Sequence, residues 1–101
     1  MKRDAAGPPA MQLRLYVVSG APNSIAAQAN LTALLAGQEP GAHSVEVVDC
    51  IAEPRRALAD GVFVTPTLKK LSPSPVQTIV GSLSNARAVR DALGLKKPRH
   101  E

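Results

Sequence analysis

A chain of 101 residues with 45% hydrophobic content has room for one small domain with a modest core, which excludes a second domain. The net charge of +4 does not mark a nucleic-acid binder: residues 12–95 carry seven bases against six acids, the excess falls in residues 1–11 and 96–101, and phosphate neutralisation needs Lys and Arg clustered on a formed surface. The sequence shows no run of about 18 apolar residues and no apolar run after Lys2-Arg3, so neither a membrane span nor a secretory signal is expected.

Residues 1–11, with Gly7, Pro8 and Pro9 among small side chains, read as a flexible leader. Leu13, Leu15 and Val17 alternate with Arg14 and Tyr16, which predicts a strand over 12–18 with one apolar face. Ala27, Leu31, Leu34 and Leu35 recur at helical spacing, predicting a helix over 24–36 capped by Asn23 or Ser24 and stopped by Gly37. The β-branched run 44–49 predicts a buried strand parallel to the first, which closes a βαβ unit. Residues 54–60 predict a short helix, opened by Glu53 or Pro54 and ended by Gly61. Two short strands, 67–71 and 76–80, flank a Ser-Pro-Ser-Pro turn. Ser84 is expected to cap a last helix with Ala86, Val89 and Leu93 on one face, closed by Gly94, and residues 96–101 form a basic, flexible tail. The predicted order is βαβαββα within a domain spanning 12–95. With Tyr16 and Phe63 the only aromatics, the core rests on Leu, Val, Ile and Ala, and a stability of roughly 5 kcal/mol is expected.

The strand, turn and helix at 15–24, followed by Thr65-Pro66-Thr67 before a third strand, are laid out like a thioredoxin-like α/β domain. The turn that carries cysteines in a thioredoxin here holds Gly20, Ala21, Pro22, Asn23 and Ser24. Without the nucleophile the chain is expected to bind rather than catalyse, since a fold alone does not carry an activity. Asp49, Asp60 and Asp91 lie on different elements and Ser24 has no His partner, so neither paired-carboxylate nor triad catalysis assembles. His43, in a predicted loop, and His100, in the tail, make no metal set. Glycine-rich phosphate loops are absent as well. Cys50, the single cysteine, cannot form an internal disulfide, which fits a reducing cytoplasm, and reads as a buried structural residue. On charge alone Arg55 and Arg56, with Glu53 and Asp60, read as a solvated face.

Four segments in order, LYVVSGAPNS at 15–24, VEVVD at 45–49 followed by Pro54, TPTLKKLSPSPV at 65–76 and IVGSLSN at 79–85, resemble the KaiB family over residues 13–93. The resemblance implies a non-catalytic regulator without a cofactor. Its thioredoxin-like form would bind a KaiC-type ring ATPase, with a KaiA-like protein or a histidine kinase as further candidate partners. It also implies a second fold, βαββααβ, which shares the first βαβ and usually rests as a tetramer, so a homo-oligomer, dimer or tetramer, is an expectation. The thioredoxin-like order is expected here because the helix after the second strand, the Ser84 cap and the Gly94 stop favour αββα in the second half.

By the same resemblance Cys50, Pro54, Arg55, Arg56 and Asp60 form the expected partner interface. Pro66, Pro73, Pro75, Gly81 and Ser82 are the expected fold-switch or cis-proline positions. Exchange at the three X-Pro bonds is expected to gate interconversion, since such bonds isomerise slowly. The chain departs from the family pattern with Ser-Gly-Ala-Pro at 19–22 where Gly-Asn-Thr-Pro is common, with Ser82 in place of an acid, and with a short basic end where an acidic tail is usual. These departures imply a homologue outside the core oscillator. The competing readings are a divergent thioredoxin-like redox protein and a stand-alone sensor-type domain related to that of a histidine kinase.

Overall fold

The computed structural model describes residues 10–95. Seven elements follow one another: β1 (Met11–Val17), α1 (Pro22–Ala36), β2 (His43–Asp49), α2 (Pro54–Ala59), β3 (Thr67–Ser72), β4 (Gln77–Val80) and α3 (Ala86–Leu93). This is the βαβαββα order that the periodicities predict. Met11 already belongs to β1, and the expectations for residues 1–9 and 96–101 lie outside the described residues.

The four strands form one mixed sheet in the order β2-β1-β3-β4. β1 runs parallel to β2, with Leu13 opposite Val45 and Leu15 opposite Val47, and antiparallel to β3, with Leu15 opposite Leu68. β1 is therefore an inner strand and buries both faces. Leu13, Leu15 and Val17 join Leu68 of β3, Ala27, Leu31, Leu34 and Leu35 of α1, and Val89 and Leu93 of α3 in the larger core. The alternate residue Tyr16 joins Val48, Ala57 of α2 and Val62 in a smaller one. Helices α1 and α3 thus cover one face of the sheet, and the six-residue α2 covers part of the other.

Several local expectations give way to tertiary context. β2 is not a buried strand: Val48 alone of its residues is fully covered, while Val45 and Val47 stay 39% and 46% exposed, because β2 is a sheet edge. His43 opens this strand rather than lying in a loop. Helix α1 starts at Pro22 with Ala21 in the cap position and no side-chain cap, so neither Asn23 nor Ser24 caps it. The buried Ser24 hydroxyl instead accepts the Val18 N–H at 3.0 Å and closes the turn that precedes the helix. Asn85, not Ser84, caps α3, its side chain accepting the Ala88 N–H at 3.1 Å. Ala86 is exposed, leaving Val89 and Leu93 as the buried face of α3, and Gly94 closes the helix in the left-handed conformation.

The bonds Thr65-Pro66, Ser72-Pro73 and Ser74-Pro75 are cis. Pro66 is fully buried at the entry to β3, whereas Pro73 and Pro75 sit exposed in the β3–β4 turn. Between β4 and α3 the backbone is left-handed twice, at Gly81 with φ of 113° and at Leu83 with φ of 63°. A leucine is costly there because its Cβ crowds the backbone. It is held by burial in the larger core and by Asn30 of α1, whose side-chain amide donates to the Ser82 carbonyl at 2.8 Å.

Candidate partner-binding surface

The turn between β1 and α1 carries no cysteine, and its polar groups are drawn into local hydrogen bonds. The Ala21 N–H donates to the Val18 carbonyl at 3.0 Å, and the Ser24 hydroxyl is taken up by the Val18 N–H. Ser19 donates to the Asp49 carboxylate at 2.8 Å. That hydroxyl, with the backbone N–H groups of Ile51 and Ala52, holds Asp49 below the usual carboxylate range. Asp49 therefore organises the turn leading from β2 to α2.

Cys50 is half-buried, its N–H donating to the Val17 carbonyl at 2.8 Å. Burial, then the neighbouring Asp49 charge, pushes its thiol up, so the thiolate needed for redox attack is disfavoured. The side chain helps to line a shallow cleft of about 300 Å³ with Pro54, Leu58, Phe63 and Val64. Cys50 is thus neither fully buried nor redox-poised. It forms part of a surface.

That surface is apolar. Leu58 is 61% exposed, Val64 53%, Ile51 72% and Phe63, the sole phenylalanine, 80%. Phe63 therefore contributes nothing to the core, which rests on aliphatic side chains and Tyr16. α2 brings the group together: Pro54 sets its first turn, Ala57 packs beneath Tyr16 and Val48, and Leu58 on the opposite side points out. The chain then turns at Gly61 with φ of 78°, a region that suits glycine, and Val62 drops into the small core while Phe63 and Val64 project. Contiguous apolar exposure of this kind on a small domain marks an interaction site.

A charged lattice flanks the patch. Arg14 donates from Nε to Glu46 at 2.9 Å and from Nη1 to Asp60 at 3.2 Å, and the Tyr16 hydroxyl donates to the same Asp60 carboxylate at 2.6 Å. Arg56 pairs with Glu46 at 2.6 Å and with Glu53 at 3.4 Å. Lys69 of β3 donates to the Asp60 carbonyl at 2.6 Å. Asp60 is held below the usual range chiefly by the Tyr16 hydroxyl and then by Arg14, and Glu46 chiefly by Arg56 and then by Arg14. Tyr16 is pushed up by burial and by Asp60.

The five expected interface residues are all found at α2 and its flanks, but in different roles. Cys50 and Pro54 line the apolar cleft, and Arg55 is exposed. Arg56 and Asp60 are engaged with β1 and β2, and so fix α2 to the sheet. The reading from sequence missed Ile51, Leu58, Phe63 and Val64. The signal was present in Gly61-Val-Phe-Val-Thr-Pro66, an apolar triplet confined between a glycine and a proline with neither strand nor helix periodicity. The expected fold-switch residues form no single cluster. Pro66 and Gly81 meet at one end of the β3–β4 hairpin, where the Gly81 N–H donates to the Pro66 carbonyl at 2.9 Å, and Ser82 follows. Pro73 and Pro75 occupy the opposite end.

Among the described residues no group of three His, Cys, Asp or Glu side chains could hold a metal ion, and no helix is long and apolar enough to cross a membrane. The βαβαββα order around a four-stranded mixed sheet places the chain in the class of thioredoxin-like α/β domains. The solved structures agree on the fold. The N-terminal domain of Synechococcus elongatus SasA superposes with a TM-score of 0.70 at 24% identity, covering 96% of this chain and 94% of that one. Mitochondrial thioredoxin 3 from Saccharomyces cerevisiae superposes with a TM-score of 0.69 at 17% identity, covering 85% and 78%.

Sequence relatives narrow the class. The KaiB domain family matches residues 14–95. The chain is 39% identical over 83 residues to the circadian clock oscillator protein KaiB of Thermostichus vulcanus, covering 82% of this chain and 77% of the relative. It is equally similar to the protein of that name from Prochlorococcus marinus strain MIT 9313, where the match covers 82% and 70%. The chain belongs to the KaiB family, which supports a circadian, KaiB-type role.

Proposed function

We propose that this protein is a non-catalytic regulator that docks onto a KaiC-type ring ATPase through α2 and the loop 61–65, and so alters a clock or timing output. The observation that carries the reading is Phe63, 80% exposed with Leu58 and Val64 in the loop beside the helix where the family resemblance locates the interface. Buried aromatic anchors contribute most to binding at protein interfaces, and an aromatic side chain left in water by the monomer is available for that role. Arg55, exposed and next in the chain to Pro54, adds a charge of the kind that steers encounter more than it adds affinity. Absence of cysteine from residues 19–24 and the raised Cys50 thiol support a role without redox turnover.

The proposal includes exchange with a second fold. Its support is the 81–83 segment, where a bulky Leu83 occupies left-handed backbone under tertiary restraint, at a cost of about 1 kcal/mol or more. Such a segment loses its restraint if α1 and α3 separate from it.

The test is size-exclusion chromatography with light scattering of the protein mixed with a KaiC homologue and ATP. The wild-type protein is expected to co-elute with the ring. Phe63→Asp should abolish co-elution with an unchanged melting temperature, and Arg55→Glu should weaken it and slow association. Absence of a complex with the wild-type protein under any nucleotide condition overturns the reading.

A further inference from the structure

Lys70 is 6% exposed on the sheet face that carries the larger core, opposite Leu13 of β1. Lysine is almost never buried without a partner, because removing an ammonium from water is costly unless an anion or several acceptors replace the hydration. Among the described residues no carboxylate pairs with Lys70, in contrast to Lys69, whose ammonium meets the Asp60 carbonyl on the other face. The Lys70 ammonium keeps contact with solvent, since among the described residues the one buried side-chain nitrogen or oxygen without a hydrogen-bond partner belongs to His43. His43 is paired with Met11 on that same face, and the unpartnered atom is its Nδ1.

Both side chains line one cleft of about 330 Å³, whose walls include Met11, Pro73, Leu93 and Leu95. The strand register sets this cleft at the end of the sheet where β1 begins, opposite the end that carries Cys50 and the apolar patch. A lysine without a carboxylate partner in the lining of an apolar-walled cleft of ligand size is an arrangement that a small anionic amphiphile completes.

We propose that this cleft binds an aliphatic monocarboxylate of about six to eight carbons, its carboxylate held by the Lys70 ammonium and its hydrocarbon chain lying along Met11, Pro73, Leu93 and Leu95. The carboxylate accepts from the Lys70 ammonium, and the hydrocarbon chain covers wall surface that water otherwise wets. The site does not depend on the reading of α2 as a ring-docking surface.

The full chain is titrated with sodium hexanoate and followed by ¹H–¹⁵N NMR, with sodium acetate and hexanol as controls. Saturable shifts confined to residues 10–13, 42–44, 70–73 and 93–95 are expected with hexanoate. Acetate should bind at least about tenfold more weakly for want of the hydrocarbon contact, and hexanol for want of the charge-assisted hydrogen bonds. Lys70→Met keeps the buried stem and removes the charge. It should weaken hexanoate at least about tenfold. Hexanoate shifts that are absent, scattered over the surface, matched by acetate, or unchanged in Lys70→Met overturn the proposal.

Discussion

Tyr16 is fully buried, yet its hydroxyl reaches the Asp60 carboxylate at 2.6 Å, and Arg14 shares that carboxylate. Tyr16→Phe keeps the ring in the smaller core and deletes one hydrogen bond to a charged group. The expected loss is about 1–2 kcal/mol, read from the urea midpoint. Because Asp60 and Glu46 are held below their ordinary values in the folded state, their contribution is fully present above the unfolded values of about 4 and is lost as pH falls through the lower folded values. The urea midpoint should therefore drop as pH falls below about 4, and less steeply in Tyr16→Phe, which releases much of the hold on Asp60. Alternation around Tyr16 gave its strand, but not its partner. Asp60 lies 44 residues away, and only the packing of α2 on the sheet brings the two together.

At the scale of elements, helix ends and strand positions were legible to different degrees. The apolar spacing of Leu31, Leu34 and Leu35 and the Gly94 stop placed α1 and α3, since helical periodicity and a left-handed terminus are local properties. Caps were less legible, because Ser84 and Asn85 are both competent and only the entry path of the chain selects between them. Asn85→Ala should cost about 1 kcal/mol and Ser84→Ala little, a difference that paired thermal melts will measure. Gly81→Ala adds a Cβ with nothing within 4 Å of it, so its cost is conformational. With φ of 113° that cost is on the order of 1 kcal/mol against the form described here, again as a lower melting temperature. The β2 valines misled because a β-branched run reads alike at a sheet edge and at its centre. Burial of Val45 and Val47 depends on a neighbour that β2 lacks on one side.

The whole molecule is asymmetric about its sheet. One face carries two helices and most of the core, and the other carries α2 over Tyr16, Val48, Ala57 and Val62. Amide hydrogen exchange should accordingly show α2 and residues 60–65 opening well before β1, α1 and α3, with the difference widening at acid pH as Asp60 and Glu46 are protonated. Uniform protection over the two faces would contradict this division. By itself the sequence determined the element order, the apolar face that Leu13, Leu15 and Val17 give β1, the lack of a cysteine pair and the kinship carried by its four motifs, all of which are encoded in short-range pattern. Only the tertiary structure decided which apolar residues remain in water and which polar ones do not: Phe63, Leu58 and Ile51 outside, Ser24 and Lys70 inside. Burial depends on what the rest of the chain places against a residue, and those neighbours come from distant positions that no local pattern specifies.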